Sequence, residues 1–155
     1  MLDIGSIAPT FSLADQDGKN RSLAEFKGQW VLIYFYPKDD TPGCTKEACT
    51  IAEVYDDFNK QRIAVLGVSK DSPQSHKKFA EKYRLPFTLL SDQKGDMIEA
   101  YGAWGEKSMF GRRFMGIRRI SYLIDGEGKV VRVYPEVDPA SHALQILNDV
   151  KSLAG

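Results

Sequence analysis

The chain has 155 residues, the length of one ordinary domain, and 43% of them are hydrophobic, enough for a single buried core. Its 21 basic and 21 acidic residues cancel, which argues against a nucleic-acid or anionic-membrane partner, since both select a basic excess. The start, MLDIGSIAP, has no basic stretch leading into an apolar run, and no apolar run nears the roughly 20 residues that span a bilayer. The expectation is therefore one domain over residues 1–155, no export signal, and the cytoplasm.

Phe11-Ser-Leu and Arg21-Ser-Leu flank a polar, turn-prone stretch and predict an N-terminal hairpin. Trp30 to Tyr36 and Ile63 to Val68 are unbroken apolar runs rich in aromatic and β-branched residues. They predict strands buried on both faces. Between them Ala48, Ile51, Ala52, Tyr55 and Phe58 recur at helical spacing. Asp71-Ser72-Pro73 opens a second helix, with a capping residue before a proline. Its inner face reads His76, Phe79, Ala80 and Tyr83. A strand at 87–90 follows. Residues 120–124 and 130–134 form a hairpin about Gly126 and Gly128, and Asp138-Pro139 opens a last helix with Ala143, Leu147 and Val150 inward. The order β-α-β-α-β-β-α implies an α/β fold: a central mixed sheet flanked by helices, compatible with a thioredoxin-like architecture.

The chain has only two cysteines, Cys44 and Cys49. A structural disulfide is a poor reading in a chain with no export signal, and so short a loop removes little chain entropy. Two cysteines with the distant His76 and His142 also give poor zinc spacing. Redox or nucleophilic chemistry and two ordinary free thiols both remain open. The stretch from Tyr36 to Cys49 leaves a buried strand and enters a helix, and sites in open α/β sheets form at such strand ends. Cys44 falls in the first turn, where unpaired N–H groups and the helix dipole stabilise a thiolate. At about 100° per residue Cys44 lies amid the apolar face, whereas Cys49 lies roughly 130° from it. The two thiols are not equivalent.

Pro37, Thr41 and Cys44 match the Pro-x-x-x-Thr-x-x-Cys signature of the peroxiredoxins. The surrounding PGCTKEAC resembles their bacterioferritin-comigratory-protein or peroxiredoxin Q branch. The resemblance runs nearly the whole chain, through Gly5–Leu13, Gly67-Val68-Ser69 with Asp71, Tyr101-Gly102, Trp104-Gly-Glu-Lys107 and Gly116–Asp125. Ser121, Tyr122 and Thr10 are mild departures. The resemblance implies a thiol peroxidase: Cys44 attacks a hydroperoxide and becomes a sulfenic acid, and Cys49 resolves it to an intramolecular disulfide. Thioredoxin or glutaredoxin then restores both thiols.

The same resemblance makes Arg119 the cation at the site. Strand alternation is expected to send Arg118 to the opposite face. Thr41 is expected to donate its hydroxyl to the thiolate or the peroxide, Gly43 and Cys44 to add N–H donors, Glu47 to orient Arg119, and Pro37 to shield the pocket. No cofactor or metal is expected, and no phosphate-binding glycine motif, HExxH or flavin fingerprint is present. A monomer is expected, because the resolving thiol lies within the chain. Trp30 and Trp104 are expected in packing roles. Two other functions are weighed: a thioredoxin-type disulfide reductase, which favours Cys-x-x-Cys, and a thiol-bearing binding or chaperone protein.

Overall fold

The computed structural model describes residues 1–155. A seven-stranded sheet runs in the order β2-β1-β5-β4-β3-β8-β9, with β1 at Ser12–Asp15, β2 at Asn20–Ser22, β3 at Trp30–Phe35, β4 at Ile63–Ser69, β5 at Thr88–Ser91, β8 at Ser121–Ile124 and β9 at Val130–Tyr134. Strands β3, β4 and β5 pair in parallel; the other pairings are antiparallel. The predicted N-terminal hairpin is β1–β2, and it joins the sheet through β5. The fold is thioredoxin-like, with α1 at Pro42–Glu53, α2 at Tyr55–Lys60, α3 at Pro73–Tyr83, α4 at Asp96–Ala100 and α5 at His142–Ala154.

Both faces of the sheet are covered, which explains why β3 and β4 read as continuous apolar runs. Side chains alternate along a strand. Leu32, Tyr34 and Tyr36 therefore join the core that holds Cys44, Ala48, Ile51, Phe58 and Leu147. Val31, Ile33 and Phe35 join a second core with Leu66, Ile98, Tyr101 and Tyr122. Trp30 and Trp104 pack against these cores, as expected.

Three local expectations need correction. The apolar stripe from Ala48 to Phe58 is two helices rather than one: the chain leaves helical geometry at Val54, with φ −113° and ψ 20°. Phe58 still reaches the same core. The last helix starts at His142, not at Asp138. Asp138 instead organises a turn, accepting the Ala140 N–H and the Ser141 hydroxyl on its carboxylate. A separate two-stranded hairpin, β6 at Trp104–Met109 with β7 at Arg112–Ile117, was not foreseen. Its two-residue turn, Phe110-Gly111, has positive φ at both positions, 52° and 78°, as a type I′ turn requires. The α3 start is as predicted: the Ser72 hydroxyl accepts the Ser75 N–H and Pro73 takes the first turn.

Candidate active site

Strand β3 delivers the chain to the carboxyl end of the sheet, and residues 37–41 turn it into α1. Thr41 is the N-cap in extended geometry, Pro42 opens the helix, and Cys44 is its third residue. The first helical backbone bond runs from the Thr45 N–H to the Thr41 carbonyl. The N–H groups of Gly43 and Cys44 precede it and have no partner within the helix. Cys44, Glu47, Ala48 and Ile51 form the buried face of α1. Cys44 is 2% exposed, whereas Cys49 is half-buried on the flank, as the wheel predicts. Both are free thiols on one continuous helix.

Arg119 closes the site from the other side. One guanidinium nitrogen, Nη2, donates to the Cys44 sulfur at 3.3 Å, and the other, Nη1, donates to Glu47 Oε1 at 2.9 Å. One planar fork thus spans the thiol and the carboxylate one turn further along α1. Gly43 makes room for it: a Cβ there would stand 3.0 Å from Arg119 Nη2. Glu47 has no exposure, and its Oε2 has no hydrogen-bond partner. Burial pushes the Glu47 carboxyl up to about 7, against the opposing pull of Arg119. Burial works against the Arg119 charge, but the Cys44 sulfur and Glu47 outweigh it and hold Arg119 above its ordinary value. The Cys49 thiol is pushed up by burial first and by Glu53 second.

The reason given for the Arg118 and Arg119 directions is corrected by the structure. Both lie in the connection between β7 and β8, outside any strand. The connection is pinned instead: the Arg118 N–H donates to the Ala103 carbonyl, and the Phe35 N–H to the Ile120 carbonyl. This second bond fixes Arg119 beside the end of β3. Arg118 is exposed, and its Cδ would lie 3.0 Å from a Cβ at Gly105. The Thr41 hydroxyl donates to the Lys38 carbonyl at 2.8 Å and not to the Cys44 sulfur. Pro37 is half-buried at the start of the loop.

These distances bring Cys44, Arg119, Glu47 and Gly43 into one cluster, with Thr41 and Pro37 on the loop below it. Residues 4–133 match the AhpC/TSA family. Peroxiredoxin Bcp of Escherichia coli K12 is 48% identical over 153 residues, covering 99% of this chain and 98% of its own. The chain belongs to the AhpC/TSA family, in the Bcp/PrxQ branch of the peroxiredoxins. Among solved structures, the bacterioferritin comigratory protein of Xanthomonas campestris, studied for alkyl peroxide reduction, superposes with a TM-score of 0.88 at 36% identity. That match covers 94% of this chain and 92% of the other. A cysteine-to-serine variant of Xylella fastidiosa PrxQ gives a TM-score of 0.94 at 31% identity, covering 100% and 99%.

As a peroxiredoxin, this chain is a thiol peroxidase, and its structure adds residues that the sequence reading did not assign. Lys107, on β6, donates to the Ile117 carbonyl at 2.8 Å. Burial first, and then Arg119, pull Lys107 below its ordinary value, while Cys44 pulls the other way. With Arg118, Arg119, Pro135 and Glu136 it lines a cleft of about 360 Å³. The only sequence signal for Lys107 was its place in the Trp104-Gly-Glu-Lys segment. No helix is long and apolar enough to cross a membrane.

Proposed function

We propose that this peroxiredoxin reduces hydrogen peroxide and organic hydroperoxides with Cys44 as the attacking thiolate and Cys49 as the resolving thiol. The observation that carries the reading is the Arg119 fork, which lies 3.3 Å from the Cys44 sulfur while bound to Glu47. The thiolate attacks one peroxide oxygen and the O–O bond breaks. The departing alkoxide takes a proton and leaves as alcohol, or as water from hydrogen peroxide. Arg119 faces the charge that develops on the oxygens, and the free N–H groups of Gly43 and Cys44 add preorganised donors. Thr41 offers its hydroxyl to the peroxide by leaving the Lys38 carbonyl. Glu47 orients Arg119, and Pro37 shields the loop side of the pocket. Cys44 is left as a sulfenic acid. The Cys49 thiol condenses with it, losing water, to give a disulfide. A dithiol of thioredoxin or glutaredoxin type takes that disulfide by exchange.

Resolution requires motion. Residues five apart in an ideal helix have Cα atoms about 8–9 Å apart and point roughly 140° away from each other. A disulfide tolerates about 7 Å, with the Cβ vectors turned together. The part of α1 between Cys44 and Cys49 must therefore unwind before the bond can close.

The reading takes residues 1–155 as one cytoplasmic domain that acts as a monomer. One sheet carrying both cores supports the first part, and an intrachain pair of thiols supports the last. The test is consumption of hydrogen peroxide and of an alkyl hydroperoxide, each with thioredoxin or glutaredoxin as donor. The parent should turn over and Cys44→Ser should not. Insulin reduction without peroxide consumption would favour the disulfide-reductase alternative and overturn the reading.

A further inference from the structure

The loop that presents Cys44 is held by a buried network that the peroxidase reading leaves without a role. Asp39 is nearly buried and sits five residues before Cys44. Its Oδ1 accepts the Tyr36 hydroxyl at 2.6 Å, and its Oδ2 accepts the Ser75 hydroxyl at 2.8 Å. That same Oδ2 lies 2.7 Å from Nδ1 of fully buried His76. The Asp39 N–H donates to Asp71 Oδ2, which also accepts the Ser69 hydroxyl. The other ring nitrogen of His76 faces the Leu90 carbonyl at 3.0 Å. The Asp39 carboxylate thus joins the end of β3 to the first turn of α3, with β5 reached through His76 and β4 through the Asp71 carboxylate on the Asp39 N–H. Asp39, Asp71 and His76 lie close enough to suggest a cation site. Protein donors already occupy the facing oxygens, so the group reads as a closed clamp.

The next residue shows why a clamp is needed. Asp40 has φ 56°, a left-handed conformation that L side chains rarely adopt. Its own carboxylate accepts from Lys82 Nζ and from the Tyr83 hydroxyl, both at 2.7 Å, at the far end of α3. The turn is therefore tied to α3 at two places. Thr41, which follows, caps α1 without any side-chain cap bond of its own. What fixes the start of α1, and hence the Cys44 sulfur under Arg119, is the clamp rather than the cap.

We infer that Asp39 is a positioning residue for peroxide reduction: gripped by Tyr36, Ser75 and His76, it holds the strained turn at residues 37–41 so that the Cys44 sulfur meets Arg119. The inference rests on the reading of Cys44 as the nucleophile. It also predicts which replacement works. A carbonyl accepts but never donates, so His76 Nε2 carries a proton toward Leu90. In Asp39→Asn the amide oxygen keeps the Tyr36 bond. The amide NH2 replaces Oδ2 and faces His76 Nδ1, which accepts in the tautomer that donates from Nε2, while the Ser75 hydroxyl turns to accept. The clamp closes again around Tyr36, Ser75 and His76, with the Ser75 O–H turned toward solvent from its half-buried position. Asp39→Ala has no such solution.

The experiment compares the parent, Cys44→Ser, Asp39→Ala, Asp39→Asn and Ser75→Ala as reduced full-length proteins. Two rate constants are measured: reaction with hydrogen peroxide, and alkylation of Cys44 by iodoacetamide followed by mass, which needs a reachable thiolate but no alignment with Arg119. Asp39→Ala should lose at least about 10-fold toward peroxide and less than about 3-fold toward iodoacetamide. Asp39→Asn should stay within about 3-fold of the parent on both. Ser75→Ala removes one donor from a half-buried position and spares the fold. It should slow the peroxide reaction about 3-fold and leave alkylation unchanged, so the inference stays testable even if Asp39→Ala does not fold. Parent-like peroxide rates in Ser75→Ala and in folded Asp39→Ala would overturn the clamp. So would equal losses toward both reagents. Peroxide reduction surviving in Cys44→Ser would instead overturn the assignment of the nucleophile.

Discussion

The two halves of α1 are built differently, although each carries one thiol. The Cys44 half is pinned on every side: Arg119 on the sulfur, Glu47 buried beneath, and a loop tied to α3 through Asp39 and Asp40. The Cys49 half is half-buried, and Thr50 ties it to the next layer through its hydroxyl and the Pro139 carbonyl, 3.0 Å apart. Attack on a peroxide gains from donors fixed in advance. Closing a disulfide across five helical residues demands that the helix give way. The contrast teaches that one helix serves two needs by being rigid at its entry and lightly held one turn later.

The largest expected effect separates the two halves outright. Cys49→Ser should abolish steady turnover while the first reaction with peroxide keeps its rate. Mass spectrometry of that variant should show one added oxygen, followed by two or three as the sulfenic acid over-oxidises. Next comes the rigid half. Arg119→Ala should slow the first reaction by a factor of ~100 or more, the cost typical of losing one donor aimed at developing charge. Arg118→Ala should stay within about 2-fold, because its exposed side chain faces Gly105 rather than the sulfur. Stopped-flow kinetics on both variants checks the pair. Gly43→Ala should cost less, about 10-fold, since its methyl would crowd Arg119 without removing it.

Glu47 gives a pH signature. Its carboxyl is raised to about 7 in the fold, mainly by burial. A raised acid contributes stability that is present below its ordinary value and lost as pH rises through the folded value. Glu47→Gln should therefore gain stability relative to the parent between about pH 4.5 and 7, by on the order of 1–3 kcal/mol. Denaturant melts at several pH values measure that difference. The same substitution should remove any inflection near pH 7 from the peroxide rate. The smallest effect tests the lightly held half. Thr50→Ala loses its tie to Pro139 and should speed disulfide formation by about 3-fold, leaving the first step unchanged.

Much of this was legible because it is written locally. Apolar runs marked β3 and β4, Ser72-Pro73 marked the start of α3, and helical periodicity separated Cys44 from Cys49 before any coordinates. Arg119 was found through its motif, but its direction is set by backbone bonds to the Ala103 carbonyl and from the Phe35 N–H, which no strand pattern encodes. The β6–β7 hairpin escaped because a Phe110-Gly111 turn lacks the usual Asn-Gly or Asp-Gly signal. The break at Val54 and the late start of α5 are likewise carried by backbone geometry and a turn, not by composition. The clamp was invisible for another reason. Asp39 and His76 are 37 residues apart, and His76 falls on the apolar face of α3, where a histidine reads as core.

Amide hydrogen exchange on α1 in the reduced and disulfide forms tests the division of this helix most directly. The reduced protein should protect residues 45–50, beginning with the Thr45 N–H bonded to Thr41. The oxidised protein should lose that protection by at least about 100-fold over the same residues, while β3 and α3 keep theirs. Equal protection of residues 45–50 in both forms, with the Cys44–Cys49 disulfide confirmed by mass, would contradict the account.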